Sequence, residues 1–157
     1  MIVTLTLTAP GTFNIDCLTA NSSGSNITIS PATKAVTINI SGTGCASAPI
    51  SFSSNTLINN ASGIAANLQI NYAGTGTLTF TGGSATYAVV NAPNAAVVLH
   101  GGADFYGTIM ANTIDDSGGT NLHFDAADTT LSGQAASTAT ATATGSYNSL
   151  AFRSLPY

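Results

Sequence analysis

Short alternations of apolar and polar residues recur along almost the whole chain. Leu5/Leu7, Phe13/Ile15, Ile27/Ile29, Val36/Ile38/Ile40, Ile50/Phe52, Leu68/Ile70/Tyr72, Leu78/Phe80 and Val97/Leu99 each set apolar side chains two residues apart. A period of two is that of a β-strand with one face buried. Each run covers three to six residues, and Gly, Asn, Ser and Pro fill the gaps as turn formers. No segment sustains a 3.6-residue apolar period, and the strong helix formers Glu, Lys, Arg, Gln and Met are scarce. The pattern predicts an all-β protein.

The turns repeat as well. Gly24, Gly42, Gly63, Gly82, Gly101, Gly118 and Gly133 follow one another at steps of 18, 21, 19, 19, 17 and 15. Leu78-Thr79-Phe80-Thr81-Gly82-Gly83 matches Val97-Val98-Leu99-His100-Gly101-Gly102, with a fainter copy at Asn112-Thr113-Ile114-Asp115-Asp116-Ser117-Gly118-Gly119. Tyr87 and Tyr106 are also 19 apart. Short strands repeating at this period are what one coil of a parallel β-helix needs. Successive coils would stack at about 4.8 Å. The expectation is a right-handed parallel β-helix, a β-solenoid, with about 19 residues per coil. The alternative is a β-sandwich or jelly roll, which calls for longer strands and tight hairpins; the Asn-Gly and Asp-Gly hairpin pairs are missing.

This divides the chain into a solenoid domain at residues 1–133, a low-complexity Thr/Ala loop or linker at 134–146, and a segment at 147–157. The last segment is apolar again and is expected to pack back on the solenoid, burying Phe152 and Leu155.

Composition narrows the function. The 157 residues suit one domain, and 44% apolar residues exclude a disordered chain. Only 5% are charged: Lys34, Arg153 and six Asp, for a net charge of −4. Such a surface offers no electrostatic footprint for nucleic acid or anionic lipid. Charge poverty with abundant Thr, Ser, Asn, Gly and Ala is the composition of secreted surface proteins. Cys17 and Cys45 either pair, as an oxidising compartment would allow, or stay as two buried thiols. A bridge would contribute roughly 3–4 kcal/mol in the chain-entropy model. No apolar run reaches the ~18 residues of a membrane helix. No secretory signal opens the sequence; the expectation is that the natural protein begins earlier, with a signal or anchor.

Residues 68–125 carry a resemblance. Ala92-Pro93-Asn94-Ala95, Ala103-Asp104-Phe105-Tyr106-Gly107 and His123-Phe124-Asp125 resemble an "APNA" turn, a "GDFYG" motif and a closing "HYD". These recur in the C-terminal domain of bacterial PilX-type and Tad-type pilus-assembly proteins. The ending Phe152-Arg153 is similar too. Ala103 and Phe124 depart from the pattern, and the cysteine pair is not part of it. The resemblance implies a minor-pilin-like, extracellular role on a bacterial surface. Its partners would be other pilus or cell-surface proteins, or surface glycans. In such proteins a membrane helix precedes the domain, so this segment itself is expected to make no membrane contact. The residues implied to matter are Asp104, Phe105, Tyr106, Gly107, His123 and Asp125.

Polysaccharide lyases and hydrolases use parallel β-helices, so a polysaccharide-active enzyme is a third alternative. Glycosidases need paired carboxylates across a cleft. Asp115 and Asp116 are adjacent, so in a strand they point to opposite faces. His100, His123, Asp104 and Asp125 are the sole metal-like set, and the simpler reading is a structural His–Asp hydrogen bond at His123, which sits beside Asp125 in an alternating strand. Asp104 is expected to accept backbone N–H groups at the corner before Phe105. Gly101-Gly102-Ala103-Asp104 does not meet the Ca²⁺-binding Gly-Gly-x-Gly-x-Asp repeat. The expectation is a non-catalytic domain without cofactor or metal. The competing function is binding of carbohydrate or ice by Thr-rich faces, suggested by Thr4/Thr6/Thr8 and Thr75/Thr77/Thr79.

Overall fold

The computed structural model describes residues 4–20, 26–30, 35–45, 47–52, 57–81, 85–102 and 104–124. The linker at 134–146, the segment at 147–157 and Asp125 lie outside the described residues.

Among the described residues twelve strands follow in order: β1 (Thr4–Leu7), β2 (Gly11–Ile15), β3 (Leu18–Ala20), β4 (Asn26–Ile29), β5 (Val36–Ile40), β6 (Ile50–Phe52), β7 (Leu57–Asn60), β8 (Leu68–Tyr72), β9 (Thr77–Thr81), β10 (Thr86–His100), β11 (Phe105–Asp116) and β12 (Leu122–His123). The one helical element among the described residues is a 3-10 turn at Ala65–Asn67. Every strand pairing among the described residues is parallel. The antiparallel pairing that a sandwich or jelly roll requires is not found there. Strands β1, β4 and β7 form one sheet; a second runs β2-β5-β8-β10-β9-β6-β3, with β11 and β12 added beyond β10.

The alternation read from the sequence sets which side chains go inside. In β5 and β8 the first, third and fifth residues are buried and the others half-buried. Parallel register then stacks like on like. Leu18, Ile50, Leu78, Val97 and Ile114 make one column. Phe13, Ile38, Ile70, Val90 and Ile109 make another. Phe52, Phe80 and Phe105 follow one another edge-to-face, with ring centroids 6.3 and 6.2 Å apart. Such edge-on aromatic contacts add to the area they bury.

The spacing of about 19 residues holds only in the later strands. Register partners lie 20 apart in β8/β10 (Gln69 and Val89), 19 in β9/β10 (Thr77 and Ala96) and 19 where β10/β11 begins (Thr86 and Phe105). They lie 17 apart in β11/β12 (Phe105 and Leu122). Earlier the spacing is 22 for Thr4 and Asn26, 25 for Gly11 and Val36, and 32 for Val36 and Leu68. The glycine steps misled because early glycines close different sheets: Gly42 follows β5, whereas Gly63 follows β7. Extra residues in connections leave the ladders intact, so loop length varies while register does not.

Strands β10 and β11 are also longer than the runs of three to six suggested. Each turns a corner without leaving the ladder, and their register shifts between Ala92 and Ala96. Ala92-Pro93-Asn94-Ala95 is therefore a bend within a strand, where exposed Pro93 needs no ladder donor.

Cys17 and Cys45 are joined as a disulfide, with Cα atoms 6.2 Å apart. The bridge ties the connection before β3 to the connection before β6. A structural disulfide marks a compartment that does not reduce thiols, outside the cytoplasm. Among the described residues no helix is long and apolar enough to cross a membrane.

Candidate functional site

The residues singled out around Asp104 gather at the β11/β12 end. Alternation assigns them in turn. Phe105 points inward and completes the phenylalanine series; it is buried. Tyr106 points outward. Gly107 turns inward again, with φ of +134°. A Cβ there would run into the carbonyl oxygen of Ala88 on the neighbouring strand, so the position has no room for a side chain.

Register places Tyr87, Tyr106 and His123 on three successive strands. Their rings stack face to face, with centroids 4.7 and 4.4 Å apart and planes within 11° and 10° of parallel. Asp104 sits beside this ladder. Its Oδ1 accepts a 2.8 Å hydrogen bond from Asn121 Nδ2, and its Oδ2 accepts one of 3.3 Å from the Tyr106 hydroxyl. His123 Nε2 lies 3.4 Å from the same Oδ2. Asp104 thus stitches β12, two residues long, to β11 through Tyr106 within β11, Asn121 just before β12 and His123 within β12.

These donors set the electrostatics. The Asn121 amide, aided by Tyr106 and His123, holds the Asp104 carboxyl below the usual carboxylate range, against partial loss of water that acts the other way. The Tyr106 phenol is pushed up, first by that loss of water and then by the Asp104 charge. A carboxyl whose folded pKa is depressed contributes stability that is present above its unfolded value, about 3.9, and is lost as pH falls through the lower folded value. Melting curves of the wild type and Asp104→Asn should therefore differ at pH 6 and converge as pH drops below about 4. A gap that stays constant to the lowest pH would show that ionised Asp104 is not what holds the ladder.

One expectation changes here. Among the described residues Asp104 accepts side-chain donors, not backbone N–H groups. The carboxylate that accepts backbone N–H is Asp116, from Gly118 at 3.2 Å and Thr120 at 3.1 Å. The short connection after β11 turns back on itself and brings its amides to Asp116, while Asn121 reaches Asp104 first. His123 faces Asp104, and Asp125 is outside the described residues. His100 is in register with Thr81 and exposed, and its Nδ1 meets the Ser117 hydroxyl. Among the described residues no group of three or more His, Cys, Asp or Glu side chains is placed to hold a metal.

A second ladder was not anticipated residue by residue. Asn14, Asn39, Asn71 and Asn91 share one outward column of the larger sheet. Asn39 Nδ2 donates to Asn14 Oδ1, and Asn71 Nδ2 donates to Asn39 Oδ1, both at 2.9 Å. Asn71 Oδ1 is buried without a partner, and Asn91 is its register neighbour. The Thr pattern behaves differently. Thr12 and Thr37 are followed by Gln69 and Val89, and Thr19, Ser51 and Thr79 by Val98. No register column among the described residues carries Thr on three successive strands.

An all-β, disulfide-bonded protein built on parallel ladders, with a stacked aromatic and carboxylate cluster at one end, is the class these features define. The chain belongs to the family of a domain of unknown function, DUF7305, whose model matches residues 16–131. No curated protein and no solved structure matches it.

Proposed function

We propose that the chain is a right-handed parallel β-solenoid serving as a non-catalytic structural or interaction domain on the outside of a bacterial cell, in a surface or pilus-assembly protein. The observation that carries this reading is the set of parallel columns. Like side chains repeat from strand to strand, and the groups found beside them fasten one strand to the next. Parallel stacking of this kind makes a stiff, extended wall suited to display and lateral contact. The disulfide supports an oxidising location. The resemblance of Asp104-Phe105-Tyr106-Gly107 and His123 to the pilus-assembly motifs supports the surface role, and gives the residues a structural rationale. Among the described residues the side-chain partners of Asp104 are hydrogen-bond donors, with no second carboxylate beside it.

Protease treatment of intact cells producing the full-length protein tests the reading, alongside fractionation of sheared surface appendages. The domain should be accessible from outside and co-purify with other surface or pilus proteins. The purified chain should be inactive on a panel of polysaccharides, with or without divalent metal. Polysaccharide cleavage abolished by Asp104→Ala, or retention of the domain in the cytoplasm, would overturn it. Binding of carbohydrate or ice by a Thr face is the weaker reading, because the hydroxyl columns break after two or three strands.

A further inference from the structure

Tyr87 and Tyr106 occupy the same outward position on neighbouring strands, and both are half-buried. Their ring centroids are 4.7 Å apart, close to the spacing of about 4.8 Å between the strands themselves. The backbone ladder therefore holds one phenol directly over the other. The pair is braced on either side: β8 pairs with β10, β12 pairs with β11, and the His123 ring covers the far face of Tyr106. The Tyr106 hydroxyl donates to Asp104 Oδ2, a carboxylate placed to receive its proton. No indole and no free thiol competes with these phenols for an oxidant. The chain has no Trp, and both of its cysteines are held in the Cys17–Cys45 disulfide. Of the other tyrosines, Tyr72 is buried, while Tyr147 and Tyr157 lie outside the described residues.

We propose that Tyr87 and Tyr106 form a site of oxidative cross-linking, at which a one-electron oxidant joins the two rings by a carbon–carbon bond between their Cε atoms. Each phenol gives one electron to the oxidant and loses its hydroxyl proton. The Tyr106 proton passes to Asp104 Oδ2 and on to water; the Tyr87 proton passes to water directly, since that side chain is half-exposed. The two phenoxyl radicals carry spin density at Cε, beside the oxygen-bearing carbon. One Cε of each ring forms the new bond, and the hydrogens on those carbons then move as protons to the phenolic oxygens, restoring both hydroxyls. The pair has lost two electrons and two protons in all, which a peroxide takes up as water. Both rings face outward, so they have room on the solvent side to tilt from the stack as the bond forms. The link would join residues 19 positions apart and fasten β10 to β11, at the end of the molecule that the Cys17–Cys45 bridge does not reach. It follows from ring geometry and stands whatever the domain binds.

Oxidation of the purified full chain tests the site, with photogenerated tris(bipyridine)ruthenium(III) and persulfate as the one-electron oxidant. The product should be a monomer lighter by two hydrogen atoms, with the blue fluorescence of dityrosine. Digestion should return residues 87 and 106 in one joined fragment. Coupling within the chain should outrun coupling between chains by at least about a hundredfold in dilute solution, because the rings are already held together. Tyr87→Phe and Tyr106→Phe keep a ring in the stack but remove the hydroxyl, and each should abolish the joined fragment. Tyr147→Phe/Tyr157→Phe should leave it unchanged. Unfolding the chain in denaturant before oxidation should lower its yield at least about tenfold, since the rings are then no longer positioned. A wild-type chain that stays uncoupled overturns the proposal, as does a bond that uses Tyr147 or Tyr157, or one that joins Tyr106 to His123. An equal yield of the joined fragment from the unfolded chain would overturn it too, because the folded geometry would then count for nothing.

Discussion

Gly107→Ala should lower the stability of the domain by about 3 kcal/mol or more, seen as a fall of roughly 10 °C in melting temperature. Two costs combine at this position. A φ of +134° is a conformation that residues with a side chain rarely adopt. The added methyl would also be driven against the Ala88 carbonyl oxygen and within 2.9 Å of the Ala65 Cβ. Ala88 cannot easily retreat, because β10 is held by β8 on one side and β11 on the other. The methyl would therefore part β10 from β11 just where Phe105 and Tyr106 anchor the end of the stack. Gly119→Ala is the informative comparison. Its φ is +73°, yet a Cβ there meets nothing within 4 Å. Backbone strain alone should make it cost only about 1 kcal/mol. Equal melting of Gly107→Ala and the wild type would mean that the strands are packed far less tightly than described.

Removing the disulfide with Cys17→Ala/Cys45→Ala should cost roughly 3–4 kcal/mol, again about 10 °C. The half-cystines are 28 residues apart, and the effect comes mainly from the unfolded chain, which regains the freedom the closed loop denied it. The loss should be local. Strands in a parallel stack contact mainly their neighbours, so weakening one end need not open the other. Hydrogen exchange should accelerate in β2, β3, β5 and β6 while the β10 and β11 amides keep their protection. An unchanged melting temperature would show that strand pairing alone fixes the first half of the chain.

The later half of the fold was the more legible in the sequence. There strand, turn and spacing coincide: Leu78/Phe80, Val97/Leu99 and Ile114/Asp116 are register partners in the structure as in the repeat. Tyr87 and Tyr106, noted for their spacing, are in stacking contact. The earlier half hid its repeat because register is a property of strands, and its connections differ in length. The asparagine ladder shows this most clearly. Phe13-Asn14-Ile15, Ile38-Asn39-Ile40, Ile70-Asn71-Tyr72 and Val90-Asn91-Ala92 are one motif. Its steps of 25, 32 and 20 conceal it from any search at fixed period. Aligning apolar-Asn-apolar triplets, without regard to spacing, would have found it. The Asp104 cluster was legible as residues but not as partners. Asn121 lies 17 positions away and carries no marker of its own until the ladder places it beside the carboxylate.

The asparagine column has a bearing on where such a protein can work. Its polarity is made of amide dipoles that neither titrate nor attract a counterion cloud. Mobile ions screen interactions between exposed charges, and here few exist to be screened. The flank that carries Asn14, Asn39, Asn71 and Asn91 would consequently present the same chemistry in dilute and in concentrated salt. For a surface that the cell cannot buffer, that constancy is useful: contacts made on this flank would depend on shape and hydration, and changing ionic strength of the surroundings would leave them largely untouched.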